Sequence, residues 1–440
     1  TIMSDKTNVG LISLGCPKNV VDAEVMLHKI RQEGYQISPK IEDCEVVIVN
    51  TCGFIESAKQ EAIDAILDTA EFKEHGKLKS LIVTGCLAQR YMDELRAEMP
   101  EVDAILGVSQ YPDIVKYIRS TLTGKKVYNN KLSLDVVSSR DRLLTTPGHR
   151  AFLKIAEGCS NNCAYCAIPS IRGPYRSRPY AEVLDEAAHL VDCGVKEITL
   201  IAQDTTRYGR EEGKTLMELL KAVSAIDRGV WIRVLYTYPQ MLDRQLIETI
   251  NENENICNYI DMPIQHINDR ILSRMNRRDT RQSIADVYNM IKSVNPEITL
   301  RTTLITGFPG ETESEFNELH SFIKDFVFDH IGVFAYCPEE GTTAYGFLND
   351  FNKELAEGRR DKLMRAQNTI SAKLLKKKKN QVYKALVELN DDIIVARSEH
   401  FAPEIDGVIY INDLNDTMPG EFAGVRILDS YEYDLRGEII

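Results

Sequence analysis

The sequence predicts an α/β protein in three parts: an N-terminal doubly wound parallel sheet, a central partial (βα)6 barrel and a small C-terminal all-β barrel. Three observations lead to this prediction. Apolar strand-like runs alternate with helix-like segments at the start, a longer βα series begins near residue 151, and the C-terminal end changes to short alternating segments. We therefore predict domains at residues 1–137, 151–375 and 376–440, with a linker at 138–150 between the first two.

The N-terminal sheet is predicted from runs that are rich in β-branched residues and almost continuously apolar. Such runs are typical of parallel strands buried on both faces. Helix-prone stretches at 22–33 and 55–74 separate them, and this βαβα order favours a doubly wound sheet. The candidate strands are residues 9–16, 45–52, 80–86 and 104–107.

The central barrel follows a polar segment that is punctuated by Pro147 and Gly148, which we interpret as the linker. Six βα units indicate a partial barrel, because a closed barrel of this kind has eight. A charged, helix-prone stretch at 353–380 leads out of it. The candidate strands are residues 152–156, 197–202, 231–236, 259–263, 299–306 and 331–336.

Composition and charge narrow the functional class. The 440 residues carry a net charge of −13, which argues against a nucleic-acid partner and suits a basic protein partner. From residue 380 onward there are thirteen acidic and four basic residues, so most of the net charge lies in the C-terminal barrel. The lysine run at 376–379 is counter-evidence, and we interpret it as a solvated face.

The predicted location is cytoplasmic, with no membrane partner. No apolar run approaches the roughly 20 residues that span a bilayer, and the first ten residues lack the apolar core of a signal peptide. Thiols stay reduced in the cytosol. Ten cysteines therefore indicate metal binding or catalysis before disulfides.

The strongest local signal is the CxxxCxxC spacing of Cys159, Cys163 and Cys166. Three thiolates so close together can ligate three irons of a [4Fe–4S] cluster and leave the fourth iron open. A zinc site would need a fourth protein ligand, and no such partner lies nearby in the sequence. Tyr165 could pack on a flat ring, and ordinary loop packing is an equally good interpretation.

A second set of cysteines is predicted to meet in space. Cys16, Cys52 and Cys86 each end one predicted strand, and the carboxyl ends of parallel strands lie on one edge of a sheet. Three thiols there favour a second cluster with an open iron, available for sulfur, over three unrelated structural cysteines. The remaining cysteines are predicted to be small buried hydrophobes: Cys44, Cys193, Cys257 and Cys337.

These motifs carry a family resemblance along the whole chain. The segment around Cys159 resembles the radical S-adenosylmethionine (SAM) superfamily, and the three-domain order resembles its methylthiotransferases, whose C-terminal barrel is a TRAM domain that helps to dock substrate. Several segments resemble the RimO branch: LGCPKNVVDAE (14–24), LKIAEGCSNNCAYCAIPSIRGPYRSR (153–178), RVLYTYP (233–239), DMPIQH (261–266), RTTLITGFPGET (301–312) and EEGT (339–342). One departure is Ala23, where a serine is more usual.

The resemblance implies an enzyme that methylthiolates the β-carbon of an aspartate in small-subunit ribosomal protein twelve. It implies two [4Fe–4S] clusters, an electron donor, and SAM as both methyl donor and radical source. The main alternative is the tRNA-modifying MiaB branch, which typically has GCQMN and ARGC where this chain has GCPKN and AEGC. A remote alternative is a non-catalytic electron-transfer or RNA-binding protein. We expect the protein substrate and not tRNA.

The segment after the fifth barrel strand is a candidate SAM contact. Gly307 and Gly310 would let a ligand approach the backbone, and Thr312 with Glu315 predicts a capping box that opens a helix. An ordinary β-to-α turn explains the same residues equally well. His266, at a strand end, either faces the barrel mouth or is a structural histidine.

Overall fold

The computed structural model describes residues 7–391 and 393–440, and in it the predicted fold class is confirmed. The N-terminal domain is a six-stranded, all-parallel sheet in the order β2-β1-β3-β4-β5-β6. Its strands are β1 (Asn8–Ser13), β2 (Gln36–Ile37), β3 (Val46–Thr51), β4 (Ser80–Gly85), β5 (Ala104–Leu106) and β6 (Val127–Asn129). Its helices are α1 (Pro17–Gln32), α2 (Glu56–Ala70), α3 (Phe72–His75), α4 (Cys86–Arg90), α5 (Met92–Glu98) and α6 (Ile114–Leu122).

Both faces of this sheet are covered, which explains the unbroken apolar runs. In β3, Val46 and Ile48 pack on one face against α1 and α6, while Val47 and Val49 pack on the other against α2. Burial on both faces removes the polar alternation of a half-exposed strand. The sheet order reverses direction between β1 and β3, and ligands of such folds bind beyond the strand ends at that point.

The central domain has six parallel strands that form an open, partial barrel. Two three-stranded sheets, β7-β10-β11 and β12-β13-β14, are joined by the bridge Ile232–Ile256. The strands are β7 (Arg150–Lys154), β8 (Ala156–Glu157), β9 (Arg176–Ser177), β10 (Glu197–Ile201), β11 (Trp231–Val234), β12 (Tyr259–Asp261), β13 (Thr299–Thr306) and β14 (His330–Ala335), of which β8 and β9 form a separate short ladder. The helices are α7 (Ile168–Arg172), α8 (Tyr180–Asp192), α9 (Leu216–Ser224), α10 (Arg244–Glu252), α11 (Asp269–Arg274), α12 (Arg281–Val294), α13 (Glu313–Asp325) and α14 (Lys353–Lys376).

The C-terminal domain is a closed five-stranded barrel in the order β15-β16-β17-β19-β18. It packs on the amino-terminal end of the central barrel, where its residues contact the first residue of each of the six parallel strands. Those first residues are Arg150, Glu197, Trp231, Tyr259, Thr299 and His330. The strands are β15 (Val382–Asn390), β16 (Ile393–Ser398), β17 (Ile409–Ile411), β18 (Phe422–Ser430) and β19 (Leu435–Ile439).

The segment between the first two domains has no regular structure but is tightly held. Arg142 is buried and pairs with Glu24 of α1 at 3.2 Å and with Glu186 of α8 at 2.8 Å. The Ser139 hydroxyl donates to the same Glu186 carboxylate. The segment therefore anchors the two domains to each other, and the boundaries 1–137, 138–150, 151–375 and 376–440 stay a prediction. No helix in the described ranges combines the length and apolar character needed to cross a bilayer.

Candidate active site

The cysteines of the CxxxCxxC motif lie in the loop that follows β7 and β8, at the carboxyl-terminal end of the central strands. The backbone of this loop is well anchored. The Cys159 N–H donates to Gly173 O at 3.1 Å, the Cys166 N–H to Cys163 O at 3.0 Å, and the Ala164 N–H to Met275 O at 2.8 Å. The loop thus presents its three thiols on a backbone that is hydrogen-bonded at both ends and in the middle.

The second set of cysteines lies at the edge of the N-terminal sheet, near the point between β1 and β3 where the strand order reverses. Cys16 caps α1 three residues after β1, Cys52 directly follows β3, and Cys86 begins α4 directly after β4. The predicted strands included these cysteines, whereas the observed strands end just before them. Because β1, β3 and β4 are adjacent parallel strands, the three strand ends lie side by side on one edge of the sheet, as predicted.

Two glycines let these loops approach each other. Gly15 has φ +93°, and a Cβ there would lie 2.6 Å from Cys52 Cβ. Gly85 has φ +101°, and a Cβ there would lie 2.5 Å from Thr51 O. Both positions therefore need glycine for backbone conformation and for space. Each glycine directly precedes a cysteine of the set.

Asn19 joins two of these loops and extends the site to the central domain. Its side-chain N–H groups donate to Leu14 O at 2.9 Å and to Thr51 O at 3.0 Å. Its Oδ1 accepts a hydrogen bond from Arg172 at 2.8 Å. Asn19 is only 1% exposed, so these bonds are made away from water and are correspondingly costly to lose.

Arg172 and Lys154 form a buried charge network between the two cysteine sets, with Asp22 of α1 and Glu157 of β8. Each cation contacts both carboxylates, at distances of 2.5–3.1 Å. Burial alone would raise the pKa of Glu157, but Arg172 and Lys154 outweigh it and hold that pKa well below its usual range. Sequence analysis missed this network, because its members are up to 150 residues apart and leave no local pattern.

The thiols themselves are suited to iron and poorly suited to standing alone as thiolates. Burial raises the pKa of Cys159 to about 11 and that of Cys86 to about 12, and it also raises the pKa of Cys52 and Cys166. Mutual repulsion adds to this effect within each set: Cys16 raises the pKa of Cys52, and Cys163 that of Cys166. A cationic cluster removes that penalty, because metal binding stabilises deprotonated ligands.

The arrangement does not resemble a site for a single ion. Within residues 7–391 and 393–440, no three His, Cys, Asp or Glu side chains converge closely enough to hold one metal ion. An iron–sulfur cluster has a different requirement, because each thiolate ligates its own iron. The donor set of sulfur alone, without a fourth ligand, therefore fits a cluster better than zinc.

The predicted SAM contacts lie near the CxxxCxxC loop, and their role stays a prediction. Tyr165 packs with apolar side chains that include Phe308 and Tyr336. Gly307 and Gly310 have φ of +66° and +81°. A Cβ at Gly307 would lie 2.2 Å from Ala356 Cβ of α14, so packing by itself requires a glycine there. The predicted capping box of Thr312 and Glu315 is confirmed at the start of α13.

His266 is fully buried beside this turn. Its Nδ1 accepts the Asn268 N–H at 3.0 Å, while its Nε2 has no hydrogen-bond partner in the described part of the chain. Glu311 Oε1, at 3.8 Å from Nε2, likewise has no hydrogen-bond partner there, although it lies 3.5 Å from the Arg359 guanidinium. Among the described residues, the imidazole is therefore hydrogen-bonded through Nδ1 but not through Nε2.

The four remaining cysteines differ in how deeply they are buried. Cys44 and Cys257 are buried, as predicted, and Cys337 is half-buried. For Cys193 the prediction is wrong: it is exposed at the end of α8, with its Sγ 3.8 Å from His189 Nε2. The prediction rested on the general tendency of a lone cysteine to be buried, but the helix ends at Asp192 and Cys193 turns outward with the cap.

Three family models match successive parts of the chain. The model of the uncharacterized protein family UPF0004 matches residues 8–107, that of the radical SAM superfamily residues 153–323, and that of the TRAM domain residues 381–440. The first two matches each contain one cysteine set, and the third covers the C-terminal barrel.

Solved structures share the fold at low sequence identity. The radical SAM methyltransferase TsrM from Kitasatospora setae has a TM-score of 0.56 at 12% identity, over 77% of each chain. The cobalamin-dependent radical enzyme OxsB has a TM-score of 0.52 at 12% identity, over 83% of this chain and 56% of its own. At this identity the likeness supports the fold alone.

Curated relatives are far more similar in sequence. A protein of Clostridioides difficile (strain 630) is 46% identical over 98% of both chains, and one of Acetivibrio thermocellus is 45% identical over 99% of both. Each is named ribosomal protein uS12 methylthiotransferase RimO. The resemblance drawn from the motifs is thereby confirmed: this chain belongs to the RimO family of radical SAM methylthiotransferases.

Proposed function

We propose that this chain adds a methylthio group to the β-carbon of an aspartate in ribosomal protein uS12. The observation that carries the proposal is the joining of two three-cysteine sites by one buried residue, Arg172. A radical source and a sulfur site must act on the same carbon in this reaction. The names of relatives that match the chain from end to end support the same substrate.

In this proposal Cys159, Cys163 and Cys166 hold one [4Fe–4S] cluster, and a second is held by Cys16, Cys52 and Cys86. When bound, the clusters with SAM supply the radical that activates the carbon and the sulfur and methyl groups that are transferred. Tyr165, Gly307 and Gly310 are the candidate contacts to SAM.

The chain's own residues exclude water from the site and hold its charged groups in fixed positions. The buried network of Arg172, Lys154, Asp22 and Glu157 lies at the boundary between the two domains, and its charges are mutually paired. Groups held in this way do not need to reorganise when charge changes nearby, which is the advantage of a preorganised site. Exclusion of water also protects reactive intermediates from side reactions.

The partners in this proposal are a basic ribosomal protein and an external electron donor, with neither tRNA nor a membrane. The net charge of −13 supports a basic partner, because phosphates would be repelled and cationic side chains attracted. The proposed location is the cytoplasm, where the substrate is made.

The test is a direct comparison of the two substrates. The reconstituted chain, with SAM and a reductant, is incubated with uS12 and separately with tRNA, and both are analysed by mass spectrometry. We expect uS12 to gain one methylthio group in place of one hydrogen, at an aspartate. Cys163→Ala is the inactive control. Modification of tRNA adenosine in preference to uS12 would overturn the proposal.

A further inference from the structure

Lys18 is a buried cation without an acidic partner. It is 6% exposed, and within the described ranges its ammonium makes no hydrogen bond and has no carboxylate oxygen within 4.0 Å. Instead Nζ lies 3.3 Å from the centroid of the Tyr236 ring. A cation–π contact recovers about 2 kcal/mol when desolvated, which is less than the cost of burying an unpaired charge.

The ammonium lies where the two cysteine sites face each other. Lys18 is the second residue of α1, two positions after Cys16. Tyr236 follows β11 at the carboxyl-terminal end of the central barrel, and its backbone is held in a positive-φ conformation (φ 61°). The Tyr236 N–H donates to Asp261 Oδ2 at 2.9 Å, which ties the ring position to the end of β12.

The charged groups around Lys18 already have partners of their own. Asp261 pairs with Arg301 at 3.1 Å, and Arg301 also contacts Asp406. Asp22 and Glu157 are shared by Arg172 and Lys154. Lys18 is therefore left without a carboxylate partner at this point, with the Cys16 thiol and the Arg172 guanidinium as its other charged neighbours.

We infer that Lys18 binds the side-chain carboxylate of the substrate aspartate. The inference rests on the proposed function, in which the reacting β-carbon is bonded directly to that carboxylate carbon. An ion pair to Lys18 would hold this carbon between Cys16 and the barrel mouth. It would also select aspartate over residues that have no carboxylate bonded directly to the β-carbon. SAM is the other source of a carboxylate, and the experiment separates the two.

The experiment compares two forms of uS12, one unaltered and one with the target aspartate replaced by asparagine. Dissociation constants for both, and for SAM, are measured with the cluster-loaded full chain and with Lys18→Met, Lys18→Arg and Lys29→Met. Lys29 is on the same helix, three turns away from the site, and is the matched control. Iron content verifies that each variant keeps both clusters, and Lys18→Gln replaces the Met variant if that one loses iron.

We expect Lys18→Met to weaken binding of unaltered uS12 by about 30-fold, the lower range for truncating a buried charge pair. Binding of the asparagine form should change little, so that the two substitutions are not additive. Lys18→Arg should recover part of the loss, and Lys29→Met should match the unaltered chain. SAM affinity should stay the same in all four.

Three results would overturn the inference. An equal loss for both forms of uS12 would show a structural role, and no loss would show no role at all. Weaker SAM binding with aspartate selectivity intact would assign Lys18 to the SAM carboxylate. Failure of the unaltered chain to bind uS12 would instead overturn the proposed function, and the inference with it.

Discussion

Arg172 of α7 donates to Asp22 of α1 across the boundary between the central barrel and the N-terminal sheet, with Nη2 3.1 Å from Oδ2. The same guanidinium contacts Glu157 at 2.9 Å and lies 3.9 Å from Cys86 Sγ. Since α7 begins two residues after Cys166, one side chain connects the loop of one cysteine set to a cysteine of the other.

Replacing Arg172 should therefore damage both stability and the N-terminal site. Arg172→Met leaves Asp22 and Glu157 with Lys154 alone, and breaking a buried pair in this way costs about 3–5 kcal/mol. Denaturant unfolding and iron analysis measure the two effects. The control is Arg119→Met, since its exposed pair with Glu33 contributes at most about 1 kcal/mol. An Arg172 variant as stable and iron-rich as the unaltered chain would contradict the prediction.

Iron content should divide equally between the two cysteine sets. The intact chain should hold about eight irons, as two four-iron clusters require. Replacing Cys159, Cys163 and Cys166 with alanine should remove half, and replacing Cys16, Cys52 and Cys86 the other half. Cys257→Ala, a buried cysteine outside both sets, should leave the iron content unchanged. Four irons in the intact chain would rule out two clusters.

The two cysteine sites should also carry out different steps of the reaction. A chain without the barrel cysteines should form no 5′-deoxyadenosine from SAM but should still transfer methyl groups to acid-labile sulfur. The reason is that, in the proposed function, methyl transfer needs only the N-terminal cluster and the radical arises at the barrel cluster. Isotope-labelled SAM follows both products in one assay. Loss of methyl transfer while the N-terminal iron is intact would show that the sites are not independent.

His400 should make the chain sensitive to mild acid. Burial, aided by Lys378 and Arg233, lowers the pKa of His400 to about 3 from its usual 6.5. The unfolded chain therefore takes up a proton below pH 6.5 that the folded chain refuses, so stability falls as the pH falls from 6.5 towards 3. Between pH 7.5 and 5.5 this group should cost about 1.4 kcal/mol.

The variant His400→Gln, measured by denaturant unfolding at both pH values, should lose that much less than the unaltered chain. Gln can still hydrogen-bond Thr299, whose hydroxyl lies 2.7 Å from His400 Nδ1. Identical pH slopes for the two chains would show that another group causes the acid sensitivity.

The acidic C-terminal barrel should affect the encounter with uS12 more than the chemistry. Its acids are less available than their number suggests, because Asp406 is buried against Arg301, and Glu404 pairs with Arg150 at 2.8 Å. The barrel also packs at the amino-terminal end of the central strands, away from the cysteines. Its exposed acids can therefore steer a basic protein but cannot line the site.

Reversing exposed acids should accordingly slow association, most strongly at low salt, with kcat unchanged. The test variant carries Lys at Asp413, Asp416 and Glu432. The control carries Lys at three exposed acids of the N-terminal domain, namely Glu61, Asp68 and Glu71. Association rates from stopped-flow binding at several salt concentrations should separate them. Equal slowing would mean that net charge acts without regard to its location.

The sequence predicted the long buried elements and missed the short exposed ones. The strands β1, β3 and β4 could be recognised because burial on both faces leaves an apolar run. The edge strands β2 and β6 have only two and three residues, with no buried ones, and so carry no such signal. Charge pairing was equally hidden. Asp406 looks like any surface acid in the sequence, and only the fold brings it to Arg301 and Tyr259.

The two cysteine sets differ in how far apart their members lie along the chain. Cys159, Cys163 and Cys166 fall within eight consecutive residues, so a local loop is enough to gather them. The other three are brought together only by parallel strand pairing, a slow and non-local event in folding. Cofactor assembly should therefore depend on folding to different degrees at the two sites. The spacing of the barrel cysteines needs only local chain to bring the thiols together, whereas the N-terminal site can form only after its sheet has folded.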